Sequence, residues 1–209
     1  MLVIKQAQRD AMEAGAGGSA VQQCPAARGG VLEKITNALE TLGEKLRIRG
    51  CRGEPLRQQE EPMSCAQAST SMVIQSAIGE RVGEETLRAE SAARGHPPGY
   101  DPVNGTSDDD VVTMLNDHGV ANGGLHPAAG VADLETQLAK SKFVMLGLGN
   151  PGHWVICDGV KTNPDGSKSL LVRDPGMATD EGCRELSGAE LQNRFSDPNA
   201  NAVIIPINK

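Results

Sequence analysis

The chain has 209 residues, enough for one domain with some extra chain or two very small ones, and long enough to bury a core without disulfide or metal staples. Hydrophobic residues make up 38 % and aromatics 2 % (Trp154, Tyr100, Phe143 and Phe195), so the core must come from Val, Ile, Leu, Met and Ala, and a base-stacking nucleic-acid module is disfavoured. Net charge is −7: residues 1–60 hold nine Lys/Arg against seven Asp/Glu, residues 61–209 eleven against twenty, a balance that repels phosphate backbones.

In chain order, residues 1–30 carry Gly17-Gly18 and Gly29-Gly30 in a Gly/Ala/Gln-rich stretch that reads as a short helix and a flexible linker. The start has only four apolar residues before Lys5, so it lacks the middle of a cleavable secretory signal, and no apolar run is long enough to span a membrane. Val31, Leu32, Ile35, Leu39, Leu42 and Leu46 recur at helical spacing, and Gly50 and Gly53 close that region. This predicts an N-terminal extension over 1–53 and a main domain over 54–209.

Ala68, Met72, Val73, Ile74 and Ala77 predict a buried helix from about 65 to 78, stopped by Gly79, and a second helix covers Glu84 to Ala93. Residues 94–106 are turn chemistry. Ser107 then caps a helix whose first turn holds Asp108, Asp109 and Asp110, acids that complement the helix dipole without a metal. Val131 to Lys140 reads as another short helix. The period then changes. Phe143 to Leu148, His153 to Val160 and Ser169 to Arg173 predict consecutive antiparallel strands with turns at 149–152 and 163–166. Ser187 is expected to cap a helix through Phe195, and Ala202 to Ile207 to form a last strand. Helices first and sheet second is an α+β pattern.

The five cysteines are Cys24, Cys51, Cys65, Cys157 and Cys183. The odd count and the lack of a C-x-x-C disfavour a complete disulfide framework and a zinc site, and the expectation is reduced thiols in a cytosolic setting. Cys65 is distinctive: it stands where a polar extended segment meets a helix, and free N–H groups at a helix start favour a thiolate nucleophile. His153, exposed by the turn before it, is placed to act as a base, whereas His96 and His126 precede prolines and His118 ends a helix. If the strands at 153 and 169 are hairpin partners, Asp174 falls beside His153 and can fix its tautomer. Gln59, six residues before Cys65, can donate to a developing oxyanion beside the Cys65 N–H, with Gln58 one residue out of that spacing. No metal or organic cofactor is needed.

The order Gln-x5-Cys, His, Asp, at intervals of 88 residues from Cys65 to His153 and 21 to Asp174, resembles that of the papain-like cysteine peptidases. Within them it is similar to the bacterial peptidases that remove double-glycine leaders and to papain-like domains of secreted bacterial effectors and toxins. The carrying segments are Gln59 to Met72, Gly152 to Gly159 and Val172 to Gly176, and the likeness covers about residues 54–207. Leader peptidases commonly follow the cysteine with Gly-Pro and many effector relatives with Trp, whereas here it is Ala66-Gln67.

The resemblance implies a papain-like α+β fold and a cysteine peptidase acting on a protein or peptide substrate through Cys65, His153, Asp174 and Gln59. A narrow cleft flanked by Trp154 would favour double-glycine sites, and Gly17-Gly18 or Gly29-Gly30 is either a self-processing site or, as favoured here, a linker. It further implies a toxin or effector, made in a bacterial cytoplasm, exported by a specialised system, active in a target cell's cytosol and restrained by a cognate inhibitor, with no nucleic-acid or membrane partner. The alternatives are an amidase or deamidase acting on peptidoglycan or glutamine side chains, and a non-catalytic binding module.

Overall fold

The computed structural model describes residues 53–128, 130–149, 152–177, 181–187, 189–190 and 202–208. The helix expected over 31–48, both double glycines and Phe195 lie outside them.

Four helices are described: α1 (Cys65–Ile78), α2 (Glu84–Ala93), α3 (Asp108–Asp117) and α4 (Val131–Leu138). Six strands accompany them: β1 (His126–Pro127), β2 (Phe143–Leu148), β3 (His153–Thr162), β4 (Lys168–Arg173), β5 (Cys183–Ser187) and β6 (Val203–Ile207). They form one antiparallel sheet in the order β1-β6-β2-β3-β4-β5. None of the described helices is long and apolar enough to cross a membrane.

The sheet is covered on both faces. Phe143, Met145, Trp154, Ile156, Ile205 and Ile207 meet Met72, Val73, Ile74, Leu87, Met114 and Leu115 of α1, α2 and α3. Val144, Leu146, Leu148, Val155, Cys157, Leu170 and Val172 meet Leu134 of α4. Two-sided burial explains why β2 reads as an unbroken apolar run rather than as alternation.

α1 is central: all ten residues from Cys65 to Ile74 are buried. Its small polar residues bond outward to neighbouring elements. Ser69 Oγ donates to the Trp154 carbonyl at 3.0 Å, and Ser71 Oγ to the Val82 carbonyl at 2.5 Å. The acid triplet also divides its work. Ser107 Oγ accepts from the Asp110 N–H as the expected cap, while the buried Asp110 carboxylate accepts from Ser91 Oγ and pairs with Arg94 Nε at 2.5 Å.

Two expectations are corrected. The strand at 183–187 was not anticipated, because only Leu186 of its five residues is buried and an edge strand carries no apolar run. Ser187 therefore ends a strand, although its hydroxyl also accepts from the Glu190 N–H at 3.4 Å and donates to Glu190 Oε2 at 2.9 Å, as a helix-capping residue would. Cys183 is disulfide-bonded, its partner lying outside the described residues, so the expectation of reduced thiols fails there. Cys157 is buried in the core on the sheet face opposite α1.

Candidate active site

Cys65 is the first residue of α1 and carries a free thiol with 9 % exposure. The preceding Ser64 makes no side-chain bond to the first helical N–H groups, and no acid occupies the first turn. The helix start is therefore open to a negative charge at or near Cys65.

His153 begins β3 and comes to Cys65 through the contact between α1 and that strand. Ser69 lies one helical turn beyond Cys65 on the same side of α1, and its bond to the Trp154 carbonyl fixes the strand start beside the thiol. His153 Nε2 lies 2.6 Å from Asp174 Oδ1. Cys65 is near enough to act on the same ring electrostatically, and with Nε2 engaged by Asp174 the nitrogen left to face the thiol is Nδ1. Burial pushes the imidazole pKa down, but the hydrogen bond to Asp174 and the charges of Asp174 and Cys65 outweigh it and raise the value to about 9. The ring is therefore held as imidazolium at neutral pH.

Asp174 follows the last residue of β4 and is itself held at several points. Gly176 N–H donates to Oδ1 at 2.9 Å, and Arg184 Nε of β5 lies 3.3 Å from Oδ2. Burial pushes its pKa up, but His153, the Gly176 N–H and Arg184 bring it below the ordinary carboxylate value. A Cβ at Gly176 would come within 3.2 Å of His153 Cε1, so glycine lets the ring lie against this turn. Arg184 escaped sequence reading because its strand did.

The neighbouring Arg173 is fully buried. Its guanidinium makes two bonds to Asp158, at 2.9 and 2.8 Å, and reaches the Pro55 carbonyl at 3.1 Å and Ser76 Oγ at 2.9 Å. Asp158 occupies an irregularity in the β3–β4 ladder between Cys157 and Gly159. This pair ties the end of β4, and so Asp174, to β3, α1 and the entering chain.

Gln59 lies close to the Asp174 turn, its N–H donating to the Pro175 carbonyl at 2.8 Å. Both donations made by its side-chain amide go to backbone carbonyls, Glu61 at 2.7 Å and Pro62 at 2.9 Å. Gln59 thus reaches an oxyanion only by exchanging one of those bonds. Trp154 is 5 % exposed and packs against Gly147, where a Cβ would come within 3.1 Å of the indole and 2.8 Å of Val203 Cγ2. The ring lines a cleft of about 140 Å³ beside Cys65, together with Met63, Ala66, Asn104, Gly105 and Thr106. Among the described residues no cluster of His, Cys, Asp and Glu is arranged to hold a metal ion.

No family model matches the chain, and no curated protein sequence matches it. Solved structures do. A C39-like peptidase from Bacillus anthracis aligns with a TM-score of 0.53 at 16 % identity, covering 75 % of this chain and 95 % of that one. The ragweed pollen allergen Amb a 11, a cysteine protease in its proform, aligns with a TM-score of 0.53 at 14 % identity, covering 80 % and 66 %. These likenesses establish the architecture: the chain has the α+β fold of the papain-like cysteine peptidases.

Proposed function

We propose that this chain is a cysteine peptidase whose nucleophile is Cys65. The observation that carries the reading is the single line of contacts from Cys65 through the His153 ring to Asp174. In this reading the Cys65 thiolate adds to a peptide carbonyl. The charge that develops on oxygen is met by N–H groups at the start of α1. His153 Nδ1–H protonates the leaving amine, the acyl-enzyme forms, and the ring then takes a proton from the water that hydrolyses it. Asp174 keeps the ring in the tautomer and orientation the cycle needs.

The narrow cleft walled by Trp154 and Asn104–Thr106 supports selectivity for glycine next to the scissile bond, as at double-glycine sites. A peptide series tests this: Val in place of either glycine should slow cleavage, and an unchanged rate sinks the selectivity. For the biological role we propose a secreted bacterial effector or toxin. The support is the sequence resemblance, together with a disulfide at Cys183 that suits passage through an oxidising compartment.

The deciding experiment treats a proteome with wild type and with Cys65→Ala and reads protein termini by mass spectrometry. New termini made by wild type alone are expected. Glutamine converted to glutamate without new termini would move the assignment to a deamidase.

A further inference from the structure

Glu84, the first residue of α2, is 4 % exposed and lies against the segment that leads into Cys65. Both its carboxylate oxygens accept from the Glu60 N–H, each at 3.1 Å. Oε1 also accepts from Ser64 Oγ and from Arg88 Nη1, the latter at 2.7 Å, and Arg88 spans back to Glu60 Oε2 at 2.9 Å. A buried carboxylate is costly unless its lone pairs are filled, and here they are filled by groups of one short segment and by one cation.

Ser64 stands at the position from which a serine hydroxyl ordinarily caps a helix, yet it does not cap α1. Its φ of −101° and ψ of 19° lie outside the extended region that capping uses. The hydroxyl accepts from the Glu61 N–H at 3.1 Å, and its single proton has two acceptors in reach, the Glu61 carbonyl at 2.8 Å and the Glu84 carboxylate. The charged acceptor is the stronger. Glu84 thus draws away the one side chain that could close the helix end beside the thiol.

We infer that Glu84 is a positioning residue for acyl transfer at Cys65: it pins Glu60 and Ser64 so that the N–H groups at the start of α1 stay open to the oxyanion. The inference rests on the peptidase reading and adds a residue that reading does not use. It separates two kinds of chemistry at the same sulfur. Acylation by p-nitrophenyl acetate forms an S–C bond at a carbonyl, passes through an oxyanion and expels p-nitrophenolate with the C–O electron pair. Alkylation by iodoacetamide forms an S–C bond and breaks C–I with no oxyanion.

The test measures both rates at Cys65 in the full chain, with Cys65→Ala as the blank. Glu84→Gln keeps the shape of the side chain but leaves one acceptor oxygen in place of two. It should slow acylation about ten-fold or more, in the range expected for a weakened oxyanion site. Alkylation should stay within about two-fold of wild type from pH 6 to 9. Equal losses with both reagents, or undiminished acylation, overturn the inference while leaving the peptidase reading intact. A wild type no faster than the blank with either reagent overturns that reading and the inference with it. If Glu84→Gln does not fold, Arg88→Gln reads the same contrast. It loosens Glu84 and Glu60 without removing the carboxylate, and a loss of about three-fold confined to acylation is expected; any other pattern counts against the inference.

Discussion

In the proposed mechanism Cys65, His153 and Asp174 make unequal contributions. Replacing Cys65 by Ala removes the nucleophile at a helix end, where a small side chain costs the fold little, so activity should fall by roughly 10⁴-fold or more with the thermal midpoint kept. His153→Ala should do nearly the same. Asp174→Ala should cost less, about 10–100-fold, because the carboxylate orients the ring and does not itself react. The three act as a unit, so Cys65→Ala/His153→Ala should be little worse than Cys65→Ala alone; full activity in Cys65→Ala would overturn the mechanism. The raised His153 pKa gives a pH signature. The imidazolium, which in the proposed mechanism donates to the leaving amine, is present below about 9 and lost above it. Peptide hydrolysis should therefore decline as pH rises through about 9. Alkylation of Cys65, which needs no acid, should not decline over the same range. Asp174→Asn removes the partner that raises the ring and should move the alkaline limb to lower pH, and a limb that stays in place would mean that Asp174 does not set it.

At the scale of elements, the groups of the candidate site are held by buried polar contacts between pieces that the chain keeps far apart. Ser69 ties α1 to β3, and Arg173 with Asp158 ties β4 to β3 and to the chain entering α1. Removing one partner of the buried pair leaves an uncompensated charge inside the protein. Asp158→Ala should therefore cost about 3–5 kcal/mol in denaturant unfolding. A cost below about 1 kcal/mol would show that the pair is dispensable. The irregularity at Asp158 has a further consequence for register. Ile156 pairs with Arg173, so Asp174 continues past the ladder to meet a histidine three residues earlier on β3. Adjacency of strand ends predicts that His153 and Asp174 are neighbours; it does not predict that a buried arginine one residue away fixes the carboxylate's approach.

At the scale of the whole molecule, Cys183 links β5 to chain beyond the described residues by a disulfide, at the strand that also carries Arg184 to Asp174. Cys183→Ser, or reductant, should lower stability by about 2–4 kcal/mol, seen as a drop in thermal midpoint. An unchanged midpoint in both would mean that the cross-link does not stabilise the fold. The sequence by itself determined the α+β class and the four helices and four of the strands within the described residues. Those elements carry apolar residues at period 3.6 or in short apolar runs between turn residues, and such local patterns need no partner to be read. It also singled out Cys65, His153 and Asp174, because a thiol at a helix start, a histidine after a turn and an acid at the end of the next strand come in an order that resembles that of the papain-like cysteine peptidases. What it could not hold is whatever depends on which elements meet. The edge strand β5 has one buried residue, so Arg184 was invisible. Glu84 looks like an ordinary first-turn acid until the fold brings Ser64 and Glu60 onto it. Gln59 has the expected spacing, but only the folded segment decides that its amide bonds to Glu61 and Pro62. A hydrogen bond between distant residues is specified by packing, and packing is a property of the assembled sheet and helices rather than of any window of the chain.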